Sequence, residues 1–190
     1  MKNLDVFNYV VILVSIILAL GIGGIIEGFA KSLKHIKNVS FYPLHSLISC
    51  LLFLLQIQYW IGTFEERDLN TWSFLYILVL LLSPVGYYLV SEIIFPEISG
   101  EEKVDLKKYY WKQNRMIYGI AAFIQMNNFI ADLLINTKGN LIDNIIRLLA
   151  MLVLVSLCIV NKPVFHYFCS ALLLALFITF VVFSSPSISV

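Results

Sequence analysis

The stretch VFNYVVILVSIILALGIGGIIEGFAKSLKHIKN, residues 6–38, decides the solvent in which this chain folds. No charged side chain occurs from Val6 to Ile26. An apolar run of that length crosses the roughly 30 Å hydrocarbon layer of a bilayer as a helix. The run then turns glycine-rich, places a lone carboxylate at Glu27 and breaks into Lys31, Lys34 and Lys37. A basic cluster after the apolar run, with no small-residue cleavage site, reads as an uncleaved membrane anchor rather than a signal peptide. The composition agrees. The chain is 60% hydrophobic and 13% charged, with a mean hydropathy of +0.88, whereas soluble domains are about half apolar and a quarter charged.

Working outward, Phe41 to Phe64 is a second charge-free run, and 72–95 and 163–183 are apolar on all faces, as contact with lipid requires. Two further segments carry polar residues: 116–135 with Gln125, Asn127, Asn128 and Asp132, and 141–160 with Asp143, Asn144 and Arg147. A charge near the centre of a spanning helix costs about 2.5–3.5 kcal/mol, so these two cross only with their polar sides turned to neighbouring helices. The expected fold is therefore an all-α integral membrane protein. It is a single transmembrane domain over 1–190, a bundle of six helices at about 6–30, 41–62, 72–95, 116–135, 141–160 and 163–183, with a loop at 96–115. A loose echo between GGIIEG near residue 25 and NNFIAD near residue 130 raises the possibility of a weak 3+3 inverted repeat.

With alternating threading, the three lysines after helix one, the basic residues from Lys103 to Arg115 and Lys162 all fall on one side. The other side receives Lys2, Arg67 and Lys138, with Arg147 just inside a helix. The richer side is expected in the cytoplasm of a multi-pass cell-membrane protein, with both termini outside. Trp60 and Trp72 flank the short outer loop, and Tyr109, Tyr110 and Trp111 mark the inner interface. The inner loop reads as a short turn followed by an interfacial helix that feeds helix four, a solvated connector or a docking surface.

Several function classes fall away. A net charge of +1 without a basic, aromatic-interleaved surface gives no nucleic-acid partner. Cys50, Cys158 and Cys169 lie inside predicted helices without a C-x-x-C pair, so they read as buried apolar residues. No G-x-S-x-G or other nucleophile constellation is present, so no catalytic residue is assigned and the chain is not expected to be an enzyme. His45 and His166 lack the flanking pattern of a bis-histidine haem, and no cofactor or metal is assigned.

The side chains that need explaining form three groups. Ser15, Ala19, Gly23 and Glu27 follow one i, i+4 ridge, with Gly24 and Gly28 as a GxxxG beside it, a pattern that lets another helix approach closely. Glu27 at the negative end of a helix needs a compensating cation, and Lys31 one turn on can snorkel to it. Alternatively, Glu27, His45, Glu92 and His166 share one inner layer by depth and could relay protons or ligate a transition metal. At the outer depth, Gln125, Asn128 and Asp132 share a face, and Asp143 and Arg147 lie one turn apart on helix five, with Asp132 and Arg147 as the natural pair. This layer is either a structural clamp or the lining of a polar pathway. Pro84 is expected to kink helix three.

The runs LALGIGGIIEGFAKSLK, FYPLHSLISCLLFLLQIQYW, WSFLYILVLLLSPVGYYLVSEIIFPE and VDLKKYYWKQNRM carry a resemblance over about residues 10–120. The chain resembles a family of small bacterial polytopic inner-membrane proteins with no assigned activity. The resemblance implies a bacterial inner membrane and brings no chemistry with it. Where that family often has a second Trp after Trp60, this chain has Ile61. The functional expectation is permeation, or proton-linked transport, of an ion or small polar solute. The alternative is an accessory, scaffold or sensor subunit working through helix contacts in a homodimer or with another membrane protein.

Overall fold

The computed structural model describes residues 2–69, 71–98, 102–135 and 141–184, with side chains from 6 to 183. Six helices carry the described chain: α1 Lys2–Lys34, α2 Pro43–Gly62, α3 Phe74–Ile94, α4 Leu106–Leu134, α5 Leu141–Ile159 and α6 Pro163–Ser184. A 3-10 turn, Thr63–Asp68, continues α2. All six helices are long and apolar enough to cross a membrane. The protein is an all-α, multi-pass membrane bundle.

Proline and polar caps set the helix starts. Pro43 and Pro163 open α2 and α6, where a missing N–H costs nothing. Ser73 caps α3 by accepting from the Tyr76 N–H at 3.1 Å. Asp105 caps α4 by accepting from the Lys107 and Lys108 N–H groups at 2.9 and 3.1 Å. That cap moves the start of α4 back from the expected Met116 to Leu106, so the separate interfacial helix is instead the first turns of one long helix.

A second difference lies in the loops at the same end. Val39–Ser40 (β1) pairs in parallel with Val104–Asp105 (β2), and the Val104 N–H donates to the Asn38 carbonyl at 2.9 Å. Two residues of strand ladder therefore tie the α1–α2 and α3–α4 connections together at the lysine-rich end. A contact this short has no alternating pattern that a sequence could advertise.

Helix α3 is the hub: 44% of its most apolar window is buried, against 22–33% for the other five helices. One flank takes α1 and the other α4, while α2 to α6 enclose a cavity. The two halves do not repeat each other's packing, since α1 lies along α3 whereas α4 lies along α5; the possible inverted repeat gains no support.

The α1 seam is not the ridge expected from small residues. Val14, Leu18, Gly21, Ile25, Gly28 and Ser32 are buried, in alternating steps of four and three, the spacing that keeps one seam facing a partner helix. Gly28 lies under the Phe95 ring, and Gly21 leaves room for the Gln56 carboxamide. Gly24 is half-buried beside Ser91 and Glu92, whereas Ala19, Gly23 and Glu27 are exposed and Gly23 has open space where a Cβ would stand. Ser15 accepts from the Trp60 indole N–H at 3.0 Å. The small residues occur on both faces of α1, so spacing alone selected the wrong one. Cys50 is exposed on α2, contrary to expectation, while Cys169 is buried.

Pro84 is buried inside a continuous α3. Its ring nitrogen cannot donate to the carbonyl four residues back, that of Leu80. In lipid an unsatisfied carbonyl costs several kcal/mol. The Tyr59 hydroxyl donates to the Leu80 carbonyl at 2.7 Å. One residue before Leu80 and Pro84 respectively, Asn127 Nδ2 donates to the Val79 carbonyl and to Ser83 Oγ, both at 2.8 Å, and the Ser83 hydroxyl donates to Asn128 Oδ1. The freed Leu80 carbonyl and the neighbouring Ser83, Asn127 and Asn128 side chains form a polar seam joining α2, α3 and α4.

Candidate functional site

The four titratable residues of the expected inner layer do not share a site. Glu27 and Lys31 form an exposed pair at 2.7 Å, an i, i+4 arrangement worth little at an interface. Glu92 is exposed beside Gly24. His45 is buried, and its Nε2–H donates at 2.7 Å to the carbonyl of Ile94, the last residue of α3. His166 is buried in another place, with Nε2–H donating at 2.7 Å to the carbonyl of Val160, just past α5. Its Nδ1 accepts from the Tyr110 hydroxyl at 2.6 Å, and the Tyr118 hydroxyl donates to Tyr110 Oη at 2.8 Å. The last carbonyls of a helix have no intrahelical donor. Both histidines, each in the first turn of a proline-started helix, supply one. The single Tyr109 O–H is shared between the Ile93 and Phe95 carbonyls at 2.9 and 3.2 Å. Among the described residues no set of three His, Cys, Asp or Glu lies close enough to hold a metal. Rotation about each helix axis separates the groups, with Glu27 and Glu92 exposed and each histidine buried against a different helix end.

The outer layer does come together. Gln125, Asn128, Asp132, Asp143 and Arg147 all line one cavity of about 280 Å³ enclosed by α2 to α6 and the 3-10 turn. Arg147 Nη1 pairs with Asp132 Oδ2, and its guanidinium lies 5.9 Å from the centre of the Phe180 ring. On α2 the lining runs from Ile48 to Thr63, roughly 22 Å of helix at 1.5 Å per residue. Its polar groups gather at the end holding Asp132, Asp143 and Arg147. Below them the wall is apolar, with Leu52, Leu55, Ala150, Leu154 and Phe177 among its members. Beyond Ile48, Leu44, Tyr42, Tyr110 and His166 are buried and fill the lysine-rich end. Rings pack there edge to face, with Tyr42 to Tyr110 at 5.6 Å and Trp111 tilted over His166 at 4.7 Å between centroids. The lining of this space is amphipathic.

Sequence reasoning missed Glu65, Glu66, Tyr59 and Tyr118 as lining residues. The two glutamates read as solvated loop, because the signal that α2 continues as a 3-10 turn is only the absence of a breaker before Asp68. Gln58 lines the cavity, but Gln56 does not: it is fully buried, with Nε2 donating to Ser91 Oγ at 3.2 Å. Lys138 lies outside the described residues. Comparisons of the chain with protein-family models, with curated proteins and with solved structures return no match.

Proposed function

We propose that this protein binds and passes a small amphipathic solute through a membrane, loading it at the acidic end of the cavity. The observation that carries the reading is the lining itself: five polar residues of α4 and α5, with Gln58, Glu65 and Glu66, gather toward one end of a cavity whose other end is walled mostly by apolar side chains. Pockets of a few hundred Å³ that are mostly apolar with a few convergent polar groups are the usual form of small-molecule sites. A bare ion would need polar lining along the whole path, and the apolar lower wall supports an amphiphile instead. A proton relay through Glu27, His45, Glu92 and His166 has no geometric support, since Glu27 and Glu92 are exposed and the histidines cap separate helices. By the positive-inside rule the lysine-rich end faces the cytoplasm and the cavity mouth faces outward.

The test is binding of neutral 9-anthracenemethanol by purified protein in a maltoside detergent, read by its fluorescence. The wild type is expected to saturate, and Ala150→Trp, which fills the apolar wall, to lose the signal while keeping its helical circular dichroism. Equal, non-saturating signals from both proteins would remove the reading. A second reading, an accessory subunit, rests on the exposed face of α1, where Ile12, Ile16, Ala19 and Gly23 offer a flat surface to another helix. A stoichiometric partner lost on Gly23→Leu would favour it.

A further inference from the structure

One flank of the lysine-rich end carries cations that nothing in the chain neutralises. Asn114 Nδ2 of α4 donates to Asn161 Oδ1 in the α5–α6 turn at 2.9 Å, and the Cys158 thiol donates to the Arg115 carbonyl at 3.7 Å. These contacts set Arg115 beside Lys162, at the level where α5 ends and α6 begins. Because α4 starts at Leu106, its stretch from Leu106 to Asn114, roughly 13 Å of helix, projects past that turn. Lys108, Lys112 and Arg115 stand at i, i+4 and i+7 on one exposed face of it, while Leu106, Tyr110 and Ile117 are buried. Carboxylates are absent here: α4 has none before Asp132, none follows Asp143, and Asp105 is engaged in capping α4. Lys31 has Glu27 as a partner, but among the described residues Lys108, Lys112, Arg115 and Lys162 form no ion pair.

We propose that this flank holds the headgroup of an anionic phospholipid from the adjoining leaflet. The Arg115 guanidinium presents a fork of donors that matches two phosphate oxygens, and Lys112 and Lys162 add charge beside it. The Lys162 carbonyl accepts from the His166 N–H at 3.0 Å, which makes Lys162 the cap residue of α6 and brings that helix's positive end to the same place. Below it, Val164, Phe168 and Leu172 form an exposed apolar stripe at four-residue spacing, along which an acyl chain lies. Charge complementarity selects this occupant. Exposed cations at the headgroup layer, without acids to offset them, attract anionic lipid by about fivefold for each Lys or Arg. A zwitterionic headgroup brings a cation of its own to the same cations. The surface is separate from the cavity, whose charged groups lie at the opposite end.

Native mass spectrometry of the full chain in a maltoside detergent, with equimolar dioleoyl phosphatidylglycerol and dioleoyl phosphatidylcholine, reads the preference directly. The wild type is expected to carry phosphatidylglycerol about tenfold more often than phosphatidylcholine, and Arg115→Gln and Lys162→Gln each to lower that ratio by about fivefold. Both side chains are exposed, so the variants should keep their helical circular dichroism. Lys34→Gln with Lys37→Gln, on the α1 side of the same end, should leave the ratio within about twofold. Equal uptake of the two lipids by the wild type, or a wild-type ratio in the Arg115→Gln, Lys162→Gln double variant, overturns the assignment. Displacement of the lipid by an equal concentration of glycerol 3-phosphate, which carries the phosphate without acyl chains, overturns it too, because the surface would then read a free anion.

Discussion

The two ends of the bundle use polar side chains in opposite ways. At the lysine-rich end every buried histidine nitrogen that donates, and the Tyr109 hydroxyl, goes to a helix-terminal carbonyl; rings fill what remains. At the acidic end, the charged groups leave space between them and line a cavity. Both ends carry the residue types that sequence reading treats as chemistry in a membrane. What differs is whether a backbone group claims them first. A histidine in the first turn of a proline-started helix stands beside the end of the neighbouring helix, and its Nε2–H goes to that helix's terminal carbonyl.

That contrast is most directly broken at His166. His166→Ala removes the donor to Val160, leaves Tyr110 without its acceptor and opens a void among packed rings, so a loss of about 3–5 kcal/mol is expected by reversible denaturation in detergent. A near-neutral result would mean that the closed end is not held by its histidine. Next is the α1 seam: Gly28→Leu forces a side chain into the Phe95 ring and should cost about 1–3 kcal/mol, whereas Gly23→Leu on the open face should change stability by less than about 0.5 kcal/mol. Equal costs would show that both faces of α1 are packed. Tyr59→Phe leaves the Leu80 carbonyl unpaired and should cost about 1–3 kcal/mol, a penalty that shrinks in a Pro84→Ala background because the helix regains its own donor there. An unchanged penalty in that cycle would sever the link between the proline and the tyrosine. Smallest of all, Glu65→Gln at the exposed mouth should move stability by under about 0.5 kcal/mol in the same denaturation. A large stability loss there would make the acidic end as structural as the other.

The outer polar layer was legible because Gln125, Asn128 and Asp132 share a helical face and Arg147, which cannot shed its charge, demands an acid. Periodicity and charge cost together left one direction for that face to point. The inner layer was misread for a related reason: depth along a helix follows from counting residues, but azimuth does not, and His45, Glu92 and Glu27 sit on apolar surroundings that fix no preferred side. The α1 ridge failed in the same way, since Ala19 and Gly23 fall on the face opposite Gly21 and Gly28.

Hydrophobic run length, proline at helix starts and the distribution of lysines were enough to determine six membrane-crossing helices and their order, because lipid leaves the backbone no alternative to internal hydrogen bonding. Which faces meet was decided only in three dimensions. The sequence of α3 does not state that Pro84 frees a carbonyl for Tyr59, or that the ends of α3 and α5 will be capped by His45 and His166 from neighbouring helices. Those outcomes depend on rotations and crossings that many side chains settle together, and they determine which polar groups are consumed by structure and which remain to bind.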